Sequence, residues 1–210
     1  AKSKVNLKGT LTATVTITAE GQSDRSVRGV FYGNRQEWQD NLEYQLYSLY
    51  PNAQLKSVKY TDEDNYLDHP VKITYKFAIP NYATVTDNTL VVTPFLAKGF
   101  YKFTMPHLRY DVSQEKRDYP FKDRCSRLVQ ISETMTVPSG FTSAKVPNDR
   151  SVNHDCVSFK GSYKLENSKV EFQETIRLGK RVYEPTDRPA FFKAVIDRLF
   201  FMKTTLLSNR

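Results

Sequence analysis

Val129-Gln130-Ile131-Ser132-Glu133-Thr134-Met135-Thr136-Val137 places apolar side chains at 129, 131, 135 and 137, with polar ones at 130, 132, 134 and 136. That is the two-residue period of a strand with one buried face. Pro138-Ser139-Gly140 follows, a fixed φ and then a residue tolerant of positive φ, so the strand ends there in a turn. Beyond a second stop at Val146-Pro147, extended runs over 157–165 and 170–178 flank Glu166-Asn167-Ser168-Lys169, a break of hairpin length. The reading predicts three antiparallel strands.

Outward from that stretch, residues 10–18 set Leu11, Ala13, Val15 and Ile17 against five threonines, another clean alternation. The period then changes. Trp38, Leu42, Leu46 and Leu49 recur at helical spacing, Asn34 is placed to cap and Pro51 to close, so one amphipathic helix packs on a sheet; a shorter helical turn fits 24–31. Extended structure resumes over 54–60, 71–79 and 89–93. At the far end Thr186 is placed to cap a helix with Phe192, Val195, Ile196, Leu199 and Phe200 on one stripe. The expected fold is all-β, an antiparallel β-sandwich architecture with one internal and one C-terminal peripheral helix. Either two sandwich-like modules, 1–94 and 95–210 with the boundary near Pro94, or a single continuous sandwich over 1–210 fits the length.

A hydrophobic content of 39% with 13 Tyr, 13 Phe and one Trp supplies a packed core. No uncharged apolar run approaches the roughly 20 residues that span a bilayer, so the chain reads as soluble, without a membrane span. It opens on Ala1 without a hydrophobic leader, as a processed product or an excised piece does. The net charge of +8 is uneven: residues 1–95 balance, and the whole excess lies in 96–210. That asymmetry permits an anionic partner, although Lys and Arg alternate with Asp and Glu as on any solvated surface. Aromatics of 95–121 are mixed with charges, a composition that suits a ligand-stacking surface and, more often, a buried seam.

Catalytic chemistry is sparse. His69, His107 and His154 are isolated in different segments, and neighbours in His154-Asp155-Cys156 would point to opposite faces of a strand. Neither metal-ligand spacing nor a glycine-rich phosphate loop occurs, so no metal or cofactor is expected. Glu133 and Glu174 each interrupt the apolar face of a strand at its centre. Pairing of those strands would bring two carboxylates to one site, with one pKa raised; the commoner arrangement gives such a residue an arginine partner, here Arg177 or Arg181. Cys125 and Cys156 precede two expected strands. Were those strands neighbours, a disulfide closing a loop of about 30 residues would stabilise by roughly 3 kcal/mol; two buried free thiols are the alternative.

The order Arg117-Asp118-Tyr119-Pro120-Phe121, Thr136-Val137-Pro138-Ser139-Gly140-Phe141, Lys145-Val146-Pro147, a Phe/Gly/Tyr strand, a Glu-rich strand, Tyr183-Glu184-Pro185 and a helix beginning near Arg188-Pro189 resembles the C-terminal domain of bacterial transglutaminase-like proteins. The half from Gly9-Thr10-Leu11 onward resembles the segment after the catalytic domain there. The nucleophile motif of that family, a Cys followed by an aromatic, is absent: Ser126 follows Cys125 and Val157 follows Cys156. The resemblance therefore implies a non-catalytic, β-rich accessory module, with no active-site residue carried over. Its partner would be the upstream transglutaminase-like domain of the parent chain, with a glycan or peptide as further classes and nucleic acid disfavoured. A polysaccharide- or anionic-polymer-binding sandwich is the alternative. The resemblance also implies a periplasmic or extracellular location, which would suit a disulfide between Cys125 and Cys156.

Overall fold

The computed structural model describes residues 1–30, 35–60, 68–99, 110, 112–141, 143–203 and 205–209. The stretch that opens the sequence reading lies, up to Thr136, in β8 (Arg127–Thr136), and β8, β11 (Val157–Glu166) and β12 (Lys169–Leu178) pair antiparallel as the alternation predicts. β11 and β12 join through Asn167 and Ser168, at φ of 48° and 61°. Two central residues at positive φ give a hairpin turn whose twist matches its strands. The register then holds from Glu166 opposite Lys169 to Val157 opposite Leu178.

A second antiparallel set contains β2 (Leu11–Ala19), β4 (Val71–Ile79) and β3 (Gln54–Tyr60), the last bulged between Leu55 and Ser57. The two sets meet through β1 (Lys2–Val5), antiparallel to β2 and parallel to β8. With β10 (Arg150–Asn153) at one edge, the eight-stranded order is β10-β11-β12-β8-β1-β2-β4-β3. The purely antiparallel expectation is corrected at the β1–β8 pair. No hairpin joins those two strands, so no short connection dictates their direction. Strands from both sides of Pro94 share this sheet. A four-stranded sheet runs β5 (Thr84–Val85), β6 (Thr89–Val92), β14 (Leu206–Asn209), β9 (Ser143–Lys145), and β7 (Phe121–Lys122) pairs with β13 (Val182–Tyr183).

One face of the large sheet is buried. Leu11, Ala13, Val15, Ile17 and Ala19 of β2 and Val71, Ile73, Tyr75, Phe77 and Ile79 of β4 lie in the core, while the residues between them are exposed or half-exposed. Two helices occupy this region, α1 (Gly21–Val30), longer than the helical turn expected over 24–31, and α2 (Arg35–Leu49), in place of the amphipathic helix. Val27, Leu42 and Leu46 are buried and Leu49 is not; Asn34 and the Trp38 side chain lie outside the described residues. Asp24 ties α1 to the start of β4, accepting from Arg28 Nε at 2.5 Å and from Val71 N–H at 2.6 Å.

α3 (Arg188–Met202) packs over β11 and β12, with the Phe201 ring against Phe159, Tyr163 and Phe172. Its buried stripe is Arg188, Phe191, Ala194, Val195, Arg198, Phe201 and Met202, turned from the expected one so that Phe200 is exposed. Asp187, not Thr186, stands at its N-cap. Among the described residues no helix is long and apolar enough to cross a membrane.

Candidate functional site

Glu133 and Glu174 stand on neighbouring strands and on the same buried face, Glu133 opposite Phe172 and Glu174 opposite Ile131. They do not share a proton through a common hydrogen-bond set, because each has its own donors. Ser3 Oγ donates to one Glu133 oxygen at 2.6 Å and Leu96 N–H to the other at 2.8 Å. Burial pushes the Glu133 carboxyl above its ordinary value, against the pull of those two bonds. Arg198 Nε donates to Glu174 Oε1 at 2.5 Å, with both side chains buried.

That partner differs from the two expected arginines. Arg177 is three positions from Glu174 on the same strand and so points to the opposite face, where it donates to the Asp155 carbonyl at 3.0 Å. Arg198 instead reaches the buried face from α3, packed above it. The bonds of the two glutamates run to β1 within the sheet and, across its face, to the 3-10 turn Leu96–Lys98 and to α3, and so lock two covering elements onto that face. Tyr163, opposite Phe172, has no hydrogen-bond partner for its hydroxyl among the described residues. Burial, followed by both glutamates, raises its pKa well above the phenol range.

Both cysteines are free. Cys125 is half-buried ahead of β8, and Cys156 is buried ahead of β11. β12 lies between those strands, which separates them by about 10 Å at ordinary strand spacing, beyond the Cα separation a disulfide spans. The feasible disulfide of the sequence reading is therefore not formed.

Cys156 has other company. The turn at 154–157, closed by reciprocal backbone bonds between His154 and Val157, puts His154 Nδ1 3.1 Å from Cys156 Sγ. Asp187 approaches from the N-terminus of α3, and one donor atom each from His154, Cys156 and Asp187 lie within 4.8 Å of one another. Lys180 Nζ donates to both Asp187 oxygens at 2.9 Å, and Glu184 N–H donates to Oδ2 at 3.0 Å. Burial raises the Asp187 carboxyl, but those donors outweigh it and hold the group below its ordinary value. Burial, then the nearby Asp187, pushes the Cys156 thiol up to about 11. His154 and Cys156 stood together in the sequence. Asp187 was not singled out, because the cap there was read as Thr186, and Lys180 carried no signal.

His69 lies ahead of β4, where its carbonyl accepts from Arg28 at 2.7 Å; His107 is outside the described residues. Of the aromatics in 95–121, Phe95 packs on Phe77 at 4.6 Å and Phe121 stacks on Tyr183 at 4.8 Å, while Tyr119 is 81% exposed.

The class these features define is a mostly β protein with one large mixed sheet, smaller sheets and few helices, in which buried charged groups anchor the cover. The family DUF3858, described as a domain of unknown function with a solved structure, matches residues 88–197, just over half of the sequence, and the chain belongs to that family. No curated protein matches it. Among solved structures it is similar to a crystal structure described as a "putative protease" from Parabacteroides distasonis, with a TM-score of 0.46 and 13% identity, over 60% of this chain and 24% of that one. This chain thus spans less than a quarter of the length of that protein.

Proposed function

We propose that the chain is a non-catalytic interaction module of a larger transglutaminase-like protein, and that it docks an acidic surface on the open side of its large sheet. The observation that carries this reading is the chemistry of that side. β1 contributes Lys2 and Lys4, β4 contributes Lys72 and Lys76, β11 contributes Lys160 and Lys164, and β12 contributes Lys169 and Arg177; all are exposed. Against them stand Glu166 and Glu171. Between the charges lie Thr, Ser and Gln side chains. A wide polar face with one dominant sign steers and orients a partner of opposite sign.

The linear asymmetry of charge dissolves in this arrangement, since the first four of those lysines come from the half that balances in sequence. The expected partner is the upstream transglutaminase-like domain of the parent chain. An anionic polymer suits the same charges, but Phe95 and Phe121 pack inward, which leaves Tyr119 exposed for stacking.

The test is calorimetric titration of the chain against the separately expressed upstream region of its parent, at low and high salt. A quadruple variant, K72E/K76E/K160E/K164E, accompanies it. Saturable binding that weakens with salt and in the variant supports docking through this face. Binding indifferent to both overturns the face, and binding of a sulfated polysaccharide in place of the upstream region moves the polymer reading to the front.

A further inference from the structure

We propose that His154, Cys156 and Asp187 form a site for a single thiophilic divalent cation of the zinc class, with the Lys180 ammonium occupying the Asp187 carboxylate when the cation is not bound. This inference stands independently of the docking reading.

The donor set is the first argument. One imidazole nitrogen, one sulfur and one carboxylate oxygen are the ligand types zinc takes, and magnesium or calcium, which take oxygen, would leave two of the three unused. The second is convergence. In a thiol–imidazole–carboxylate relay the imidazole stands between the other two groups and the acid orients its far nitrogen. Here all three donor atoms lie within 4.8 Å of one another, so the Asp187 carboxylate stands within that distance of the sulfur itself. A carboxylate beside the sulfur disfavours a thiolate nucleophile but suits a cation that both would bind.

The third argument is fit. Zinc bonds of about 2.3 Å to sulfur and 2.0–2.1 Å to nitrogen at a tetrahedral angle put those ligands about 3.6 Å apart. His154 Nδ1 and Cys156 Sγ, at 3.1 Å, open to that separation by small side-chain rotations. The ligands come from two supports, the closed turn at 154–157 and the start of α3, where Glu184 N–H fixes the Asp187 carboxylate. His154 is exposed, which gives the cation an approach and leaves a fourth position for water. Binding breaks the Cys156 S–H bond and forms a metal–sulfur bond, the proton leaving to solvent. The Lys180 ammonium is released from Asp187 to water, and its side chain is already 44% exposed.

The test uses the full chain, stripped with a chelator and titrated with Co²⁺ and then Zn²⁺. The expected result is one Co²⁺ per chain with a thiolate-to-cobalt charge-transfer band, abolished by Cys156→Ser, retained in Cys125→Ser and bleached as Zn²⁺ displaces cobalt. His154→Ala should weaken binding about 10- to 100-fold or more. Lys180→Met, at an exposed side chain, should strengthen it by removing the competing ammonium. No charge-transfer band, or one that persists in Cys156→Ser, overturns the site. Should Cys156→Ser fail to fold by circular dichroism, Lys180→Met decides: affinity unchanged or lowered removes Asp187 from the ligand set and the proposal with it.

Discussion

The Glu133 carboxyl is held above its ordinary value of 4.5 because burial outweighs the bonds from Leu96 and Ser3. A folded-state pKa above the unfolded one means that the folded chain holds the proton more tightly. The contribution of this group is fully present below the unfolded pKa and is lost as pH rises through the folded one. Glu133→Gln keeps an acceptor for Leu96 N–H and offers an amide donor to Ser3 Oγ, so it escapes that loss. The expected outcome is a melting temperature at neutral pH equal to or above the parent's, with a flatter profile above the ordinary value of 4.5; a clear drop at neutral pH would show that the charge itself is needed. Glu174 behaves differently because its partner is a cation. Arg198→Ala removes the guanidinium from a buried carboxylate and should cost about 3–5 kcal/mol in urea unfolding, whereas the double variant Glu174→Leu/Arg198→Met should lie close to the parent. The oddity of both glutamates was legible, since each displaces an apolar residue from the middle of a strand face. Their partners were not. Arg198 lies 24 residues from Glu174 along the chain, and only the packing of α3 on the sheet brings them together. The two cysteines failed to pair for a related reason, because strand order, invisible in spacing, places β12 between them.

At the level of elements, α3 depends on a notch in β11. Gly161 lies opposite Glu174, and a Cβ at Gly161 would stand 2.5–2.8 Å from atoms of the Phe201 ring. Glycine is required there for close approach. Gly161→Ala must push Phe201 off Phe159, Tyr163 and Phe172, and overpacking of this kind costs about 1–3 kcal/mol. Chemical denaturation should show that loss, with part recovered in Gly161→Ala/Phe201→Leu; a Gly161→Ala variant as stable as the parent would mean that α3 rides loosely on the sheet. The existence of α3 was legible from its periodicity, but its buried face was not. The expected stripe ran through Phe192 and Phe200, whereas the buried one includes two arginines: Glu174 neutralises Arg198 inside, and Arg188 donates to the Gln114 carbonyl at 2.8 Å with its guanidinium 5.5–5.9 Å from the Phe191, Phe121 and Phe192 rings. The strands β2, β4, β8, β11 and β12 were legible because their alternation is uninterrupted or broken once. In the helical region, the short turn expected over 24–31 is a ten-residue helix, α1.

Across the whole molecule, the large sheet is two antiparallel sets whose continuity rests on β1. Ser3 and Val5 turn inward, Lys2 to Val5 pair with Thr14 to Leu11, and Lys2 to Lys4 pair with Thr134 to Thr136. Four residues with two inward positions give too short a pattern to announce a strand, which is why the seam between the sets was hidden in the sequence. The seam also carries the Glu133 lock, since Ser3 supplies one of its donors. Removing residues 1–5 would expose unpaired backbone groups on both β2 and β8 and strip the Ser3 hydroxyl from a buried carboxylate, costs of about 1–3 kcal/mol for each buried group left unsatisfied. Several such groups together amount to a large share of the ~5–15 kcal/mol by which a domain is stable. The truncated chain should therefore lose its single cooperative melting transition, unfolding well below the parent or in two steps, and its hydrogen-exchange protection should fall first along β2 and β8. An unchanged transition would mean that the small sheets and the shared core hold the two sets together without their common strand.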